Sequence, residues 1–198
     1  QAARRRMKKL ALGILGSGKG SNCRAILEQI SSGNLEAEAR LVLSDVLDAG
    51  ILDIAREFGV ANVYLPPGKF RTRLEPNVEM ELVRLLKEAG VELVVLAGFM
   101  RLLKEPMLET YPGRIINIHP SLLPKFPGIE SWKQALEAGE KITGCSVHYV
   151  DAGIDSGEII AQRKVLVLPG DTPESLHARI QVAERALYPE VIARFCEA

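Results

Sequence analysis

Three stretches of this chain hold side chains whose types and spacing could do chemistry. The first is Asn117-Ile118-His119-Pro120. Residues two apart on an extended chain point to the same side, so Asn117 and His119 can offer an amide donor and an imidazole to one substrate atom. A single His near an apolar strand also reads as a satisfied core residue, and both readings stay open. The second is the turn AGIDSG, residues 152–157. Its Asp155 could fold back to orient His119 or relay a proton, or serve as an ordinary turn aspartate, the role that fits Asp151. A triad of Ser121, His119 and Asp155 gains little from the sequence, because Ser121 lies outside a G-x-S-x-G elbow. No metal is expected: His119, His148 and His177 are about thirty residues apart and lack a ligand pair such as H-x-x-x-H. His148, inside the apolar SVHYV, reads as packing, and His177 as a solvated position.

The third stretch is GSGKGSN, residues 16–22. Glycines there allow a sharp turn into a helix, whose free N–H groups and positive dipole end suit an anion such as phosphate. Ser21 and Asn22 could cap that helix or donate to the anion, and a plain strand-to-helix turn with an N-cap fits equally well. The loop is neither a P-loop nor a clean G-x-G-x-x-G fingerprint, since Lys19 precedes Gly20 and Asn22-Cys23 fill the later positions. Asp45 matches only weakly the acidic ribose contact expected roughly 20 residues further on. Lys19 could add charge at the phosphate or face solvent.

These residues need a frame. Leu10–Leu15 is a short apolar run of the kind found in buried parallel strands. Further strands are expected at 40–43, 62–65, 92–97 and 114–119. Helices are expected from Cys23, Ile26, Leu27 and Ile30, from Ile51, Ile54, Ala55 and Phe58, and over 75–89. Strand–helix alternation predicts an α/β fold: a Rossmann-like, mostly parallel sheet with helices on both faces. After His119 the pattern changes. A proline-rich segment leads to a short helix near 132–138. Closely spaced strands at 144–150 and 157–167 predict an antiparallel addition, making the sheet mixed. A last helix starts at Pro173, with Leu176, Ile180, Ala183, Leu187 and Val191 on one face.

Composition narrows the class. A chain of 198 residues suits one domain, assigned to 8–198, with 1–7 read as a disordered or artificially added start. That start lacks an apolar segment, so a secretory signal is not expected. The 25 basic residues cancel the 25 acidic ones, leaving no global field for nucleic acid or an anionic membrane. No apolar run approaches the roughly 18 residues of a spanning helix. Cys23, Cys145 and Cys196 are isolated, which suits reduced thiols in a cytoplasmic protein.

Five motifs in order then carry a resemblance: GSGKGSN, AGFMRLL (97–103), NIHPSLLPKFPG (117–128), GCSVHYV (144–150) with DSG (155–157), and QVAERALYP (181–189). Over about residues 8–195 the chain resembles the folate-dependent formyltransferases, and within them the glycinamide ribonucleotide branch. The resemblance implies transfer of a formyl group from 10-formyltetrahydrofolate, as co-substrate, to the amine of glycinamide ribonucleotide, without a metal. It implies Asn117, His119 and Asp155 as the catalytic trio. It implies a ribonucleotide site of Gly20, Ser21, Asn22, Met100, Pro120, Gln181 and Glu184, with Glu184 receiving the ribose hydroxyls. The folate wall would comprise Arg101, Leu102, Leu103, Asn117, Val150, Asp151, Ala152, Gly153, Ile154 and Asp155. Glu130, a position where some members carry histidine, is expected to have no essential role. The same catalytic block occurs in methionyl-tRNA formyltransferase, which a chain without a carboxy-terminal extension or net positive charge fits poorly. It also occurs in 10-formyltetrahydrofolate deformylase, a hydrolase, which stands as the alternative reading. Small molecules are the expected partners, with the chain acting as monomer or homodimer.

Overall fold

The computed structural model describes residues 8–197, so the expectation for 1–7 lies outside the described residues. Strands β1 (Leu10–Leu15), β2 (Ala37–Ser44), β3 (Asn62–Tyr64), β4 (Leu93–Leu96), β5 (Ile115–His119), β6 (Ile142–Tyr149) and β7 (Ile159–Leu166) form one sheet in the order β3-β2-β1-β4-β5-β6-β7. The first five strands run parallel, and β6 and β7 are antiparallel. The mixed Rossmann-like sheet is therefore as expected. Strand β1 lies between β2 and β4, the switch point where strand order reverses and where open α/β sheets bind ligands at the carboxyl edge.

Helices α1 (Ser21–Ser31), α2 (Gly50–Glu57), α3 (Pro76–Glu88), α4 (Glu105–Thr110), α5 (Ser131–Glu137) and α6 (Pro173–Cys196) cover both faces. One core joins the inward residues of α1, α2 and α6 to Leu12, Ile14, Val95 and Ile116 of the sheet. The other joins Leu82 and Leu86 of α3 and Met107 of α4 to Leu15, Leu43, Val94 and Ile115. Alternate residues of β1, β2, β4 and β5 thus feed opposite cores, as the period of two demands. The stripe Leu176, Ile180, Ala183, Leu187 and Val191 is buried along α6 as its spacing predicts. Thr172 and Ser175 start that helix with a reciprocal capping box, Pro173 following at its first position.

Helix α4 has no counterpart in the sequence pattern. Its first turn is held from outside: buried Glu79 of α3 accepts from the backbone N–H of Lys104 (3.0 Å) and of Met107 (3.1 Å). A carboxylate on those orphan donors fixes where the helix begins. Cys23, Cys145 and Cys196 are free thiols, and burial pushes the first two up to about 12, so they stay protonated and inert. No helix among the described residues is long and apolar enough to cross a membrane.

Candidate active site

The carboxyl ends of β1, β4 and β5 meet at the sheet's switch point, and β6 closes the far side. Asn117 on β5 is directly opposite His148 on β6. The Asn117 Nδ2 donates to His148 Nε2 at 3.2 Å, while His148 Nδ1 donates to its neighbour's carbonyl, Tyr149 O, at 2.8 Å. That pairing needs a neutral imidazole with its proton on Nδ1. Burial holds the His148 pKa below the ordinary histidine value and favours the same form, although the Tyr149 carbonyl and Asp155 pull the other way. His148 is therefore not mere packing: it orients the Asn117 amide. The apolar residues around it gave no sign of this, because the contact depends on strand register.

His119 is buried, at 5% exposure. Its Nε2 donates to Phe126 O at 2.8 Å, and its Nδ1 lies 3.4 Å from Asp155 Oδ2. Both ring nitrogens thus face oxygen atoms, Nε2 at hydrogen-bond distance and Nδ1 at a longer contact. Asp155 is fixed in turn by the Gly128 N–H, which donates to Oδ2 at 2.9 Å, and its Oδ1 lies 3.7 Å from His148 Nε2. The sequence-distant Asp155 does fold back onto His119. Asp151 instead takes the turn role, accepting from Gly153 N (2.9 Å) and Ser156 Oγ (2.7 Å), and the Ser156 hydroxyl in particular holds its carboxyl below the usual range. Ser121 is fully buried and donates to Lys125 O at 2.6 Å, which removes it as a nucleophile.

A cleft opens beside this trio. Leu96, Phe99, Leu102, Leu103 and Val150 give it apolar walls, and Asn117, Asp151 and Asp155 give it a polar edge. Such a lining fits a flat heteroaromatic ring with polar groups on one rim. Arg101 and Gly153 also line it. Ala152 and Ile154 do not: they are exposed in the bend between Asp151 and Asp155, Ile154 at 58%. The Arg101 guanidinium is engaged on the protein, its Nε donating to Asp45 Oδ2 at 2.8 Å and its Nη1 to Phe70 O. Asp45 also accepts from Ser17 Oγ at 2.5 Å, so this buried carboxylate is an internal anchor rather than a ribose contact.

The glycine loop forms the other half of the site. The Ser17 N–H donates to Gly98 O (2.9 Å), and the Met100 N–H donates to Ser17 Oγ (3.0 Å), which ties this loop to the one after β4. Gly16 permits that approach, since a Cβ there would lie 2.6 Å from Ala97 O. Gly20 begins α1 with φ 82°, a left-handed value that glycine adopts without strain. No side chain caps α1 and no acidic residue lies in its first turn, so its free N–H groups face outward at a positive helix end. Asn22 Oδ1 is buried without a hydrogen-bond partner among the described residues. On the neighbouring α6, Glu184 is buried at 6% exposure, and burial pushes its carboxyl up to about 7 against the opposing pull of Arg185 and of the Asn22 amide. Gln181 is one turn earlier on the same face. Met100 stands at the mouth, 63% exposed. The carbonyl of Pro120 accepts from Ser131 Oγ at 2.7 Å, binding the strand end to α5. Trp132 of α5 stacks on His177 of α6, ring centroids 3.6 Å apart. His177 is accordingly half-buried and not a solvated position.

The sequence pattern of the formyl transferase family matches residues 9–192. The chain belongs to that family. It is 41% identical to phosphoribosylglycinamide formyltransferase of Bacillus subtilis, over 94% of this chain and 93% of that protein. It is 47% identical, over 91% of its length, to the trifunctional purine biosynthetic protein adenosine-3 of Drosophila pseudoobscura pseudoobscura, of which it spans only 13%. In three dimensions this formyl transferase superposes on glycinamide ribonucleotide transformylase 1 of Symbiobacterium toebii with a TM-score of 0.93 at 44% identity, covering 100% of this chain and 92% of that one.

Proposed function

We propose that this formyl transferase, acting as one catalytic domain over residues 8–198, moves the formyl group of 10-formyltetrahydrofolate onto the amine of glycinamide ribonucleotide, the third step of de novo purine synthesis. The observation that carries this reading is the convergence of Asn117, His119 and Asp155 between an apolar cleft and an uncapped helix end. The cleft suits the pterin, and the α1 end, through Gly20, Ser21 and Asn22, suits the phosphate. Glu184 and Gln181 suit the ribose, with Met100 and Pro120 at its flank. The names of the Bacillus and Symbiobacterium relatives support the same substrate.

The chemistry follows from where charge develops. The substrate amine attacks the formyl carbon, a new C–N bond forms, and negative charge gathers on the formyl oxygen. The Asn117 amide and the His119 Nδ1–H, which makes only the longer 3.4 Å contact to Asp155, would donate to that oxygen. One such donor contributes about 2.7–4 kcal/mol to transition-state stabilisation. His148 keeps the Asn117 amide aimed, and Phe126 O keeps the His119 ring aimed. The bond to the folate N10 then breaks. Asp155 would take the proton from the attacking amine and pass it to N10, directly or through water.

A formyl-transfer assay tests the reading. Folate product should form only when glycinamide ribonucleotide is present, and Asn117→Ala should cut kcat by about 100- to 1000-fold. Equal folate turnover without the ribonucleotide would mean a hydrolase and overturn the proposal.

A further inference from the structure

A second cleft runs along the outer face of α1, lined by Lys19, Ser21, Arg24 and Glu28, by Ile54 of α2 and by Arg185 of α6. Its upper end is the uncapped N-terminus of α1. Three of its side chains are cationic and one is anionic, a local excess in a chain with no net charge. Arg24 is already committed to Glu57, Nη2 to Oε2 at 2.6 Å. Among the described residues neither Lys19 nor Arg185 has an ion-pair partner.

The backbone beneath Lys19 is held firmly. Gly18 O accepts from the Ile51 N–H at 3.0 Å, and a Cβ at Gly20 would lie 2.8 Å from Ile51 Cα. Gly50, the first residue of α2, packs so closely on Lys19 that a Cβ there would approach the Lys19 carbonyl to 3.0 Å. These contacts fix the root of the Lys19 side chain one residue before Gly20. Arg185 comes off α6 next to Glu184. A phosphate monoester carries about 1.5 to 2 negative charges at neutral pH, so two unpaired cations complement it where helix N–H groups alone would not.

We infer that Lys19 and Arg185 form a cationic clamp at the phosphate end of the ribonucleotide site and set the preference for a phosphorylated substrate. The inference rests on the function proposed above, whose loop residues supply the N–H groups while the clamp supplies the charge. Lysine acts as a mobile point charge and arginine as a planar fork, so the two can engage different oxygens of one phosphate.

The test compares kcat/KM for glycinamide ribonucleotide with that for its phosphate-free riboside, in the wild type, Lys19→Met, Arg185→Met and the double variant, across ionic strength. Each single variant should lower the ratio of phosphorylated to phosphate-free activity about threefold to fivefold, and the double variant on the order of tenfold. The steepness of the salt dependence should fall with each cation removed. The folate KM should not move. Unchanged ratios and salt slopes in an active double variant would overturn the clamp and leave the proposed reaction standing. A wild type that does not use the ribonucleotide would overturn the reaction itself.

Discussion

Glu184 is the residue whose structural cost and proposed use can be separated by experiment. It is 6% exposed, and burial pushes its carboxyl up to about 7 from the ordinary 4.5. The folded chain therefore holds this proton while the unfolded chain releases it. Below pH 4.5 both states are protonated and the group adds no cost. As pH rises from 4.5 to 7 the unfolded state binds fewer protons than the folded one, and stability falls. Above pH 7 the whole cost is present, about 3 kcal/mol from the separation of the two values. Glu184→Gln removes the charge and keeps the shape and the acceptor facing Asn22. The variant should match the wild type near pH 4.5, gain steadily to pH 7, and stay about 3 kcal/mol more stable at pH 8. Urea unfolding of the ligand-free protein at pH 5, 6, 7 and 8 reads this directly. The same variant should raise the ribonucleotide KM, because an amide accepts less strongly from two ribose hydroxyls than a carboxylate does. Higher stability with weaker substrate binding is the pattern of a site residue kept at a cost. A stability difference that is flat with pH, or a Gln variant less stable at pH 8, would refute the assignment of an unfavourably buried charge.

Other perturbations follow from single contacts. Asp155→Asn keeps an oxygen for the Gly128 N–H but loses the carboxylate facing His119; kcat should fall on the order of 1000-fold with little change in the thermal midpoint, as stopped-time assays and calorimetry would report. Glu79→Ala strands the buried Lys104 and Met107 N–H donors and should cost about 2–4 kcal/mol in urea unfolding. Glu130 is exposed, has φ 50° and makes no capping bond to α5; Glu130→Asn, better suited to left-handed backbone, should stabilise by about 0.5–1 kcal/mol with formyl transfer intact, and lost activity would show that the glutamate touches substrate.

Much of the frame was legible because burial leaves period in a sequence. The run Leu10–Leu15 and the stripe from Leu176 to Val191 each serve one packed surface, and both elements occur as expected. Strand β2 is longer than 40–43, since pairing with β1 starts at Ala37 and carries it through the polar Glu38, with a bulge at Arg40. Helix α4 escaped because its start depends on Glu79, a contact 25 residues away in sequence from Lys104. At the site, Asn117 and His119 were visible as polar residues at a strand end, and Asp155 was visible only as a choice between turn and catalysis. His148 was invisible in that sense: its role comes from lying opposite Asn117 in an antiparallel register. Ala152 and Ile154 sit in the bend of that turn, exposed and away from the cleft that Asp151, Gly153, Asp155 and Ser156 line.

Backbone strain marks the same site by a route independent of side-chain chemistry. Among the described residues the non-glycine positions with positive φ are Phe126, Glu130 and Asp155. All three belong to the two loops that meet at His119. Phe126 offers its carbonyl to the His119 Nε2, and Asp155 offers its carboxylate to Nδ1. A left-handed residue costs roughly 1–3 kcal/mol and persists only where its surroundings hold it. Here the surroundings are identifiable: Gly128 N–H on Asp155 and Ser121 Oγ on Lys125 O, with Ser131 Oγ on Pro120 O at the base of the loop. These bonds tie the two loops to each other and to the strand end, so the imidazole is held at Nε2 by Phe126 O and faces Asp155 at Nδ1 before any substrate arrives. Loops free to relax would leave His119 to reorient with each encounter, and the donor aimed at the developing oxyanion would lose its preorganisation. The strain is thus best understood as the conformational cost of holding one ring in one orientation.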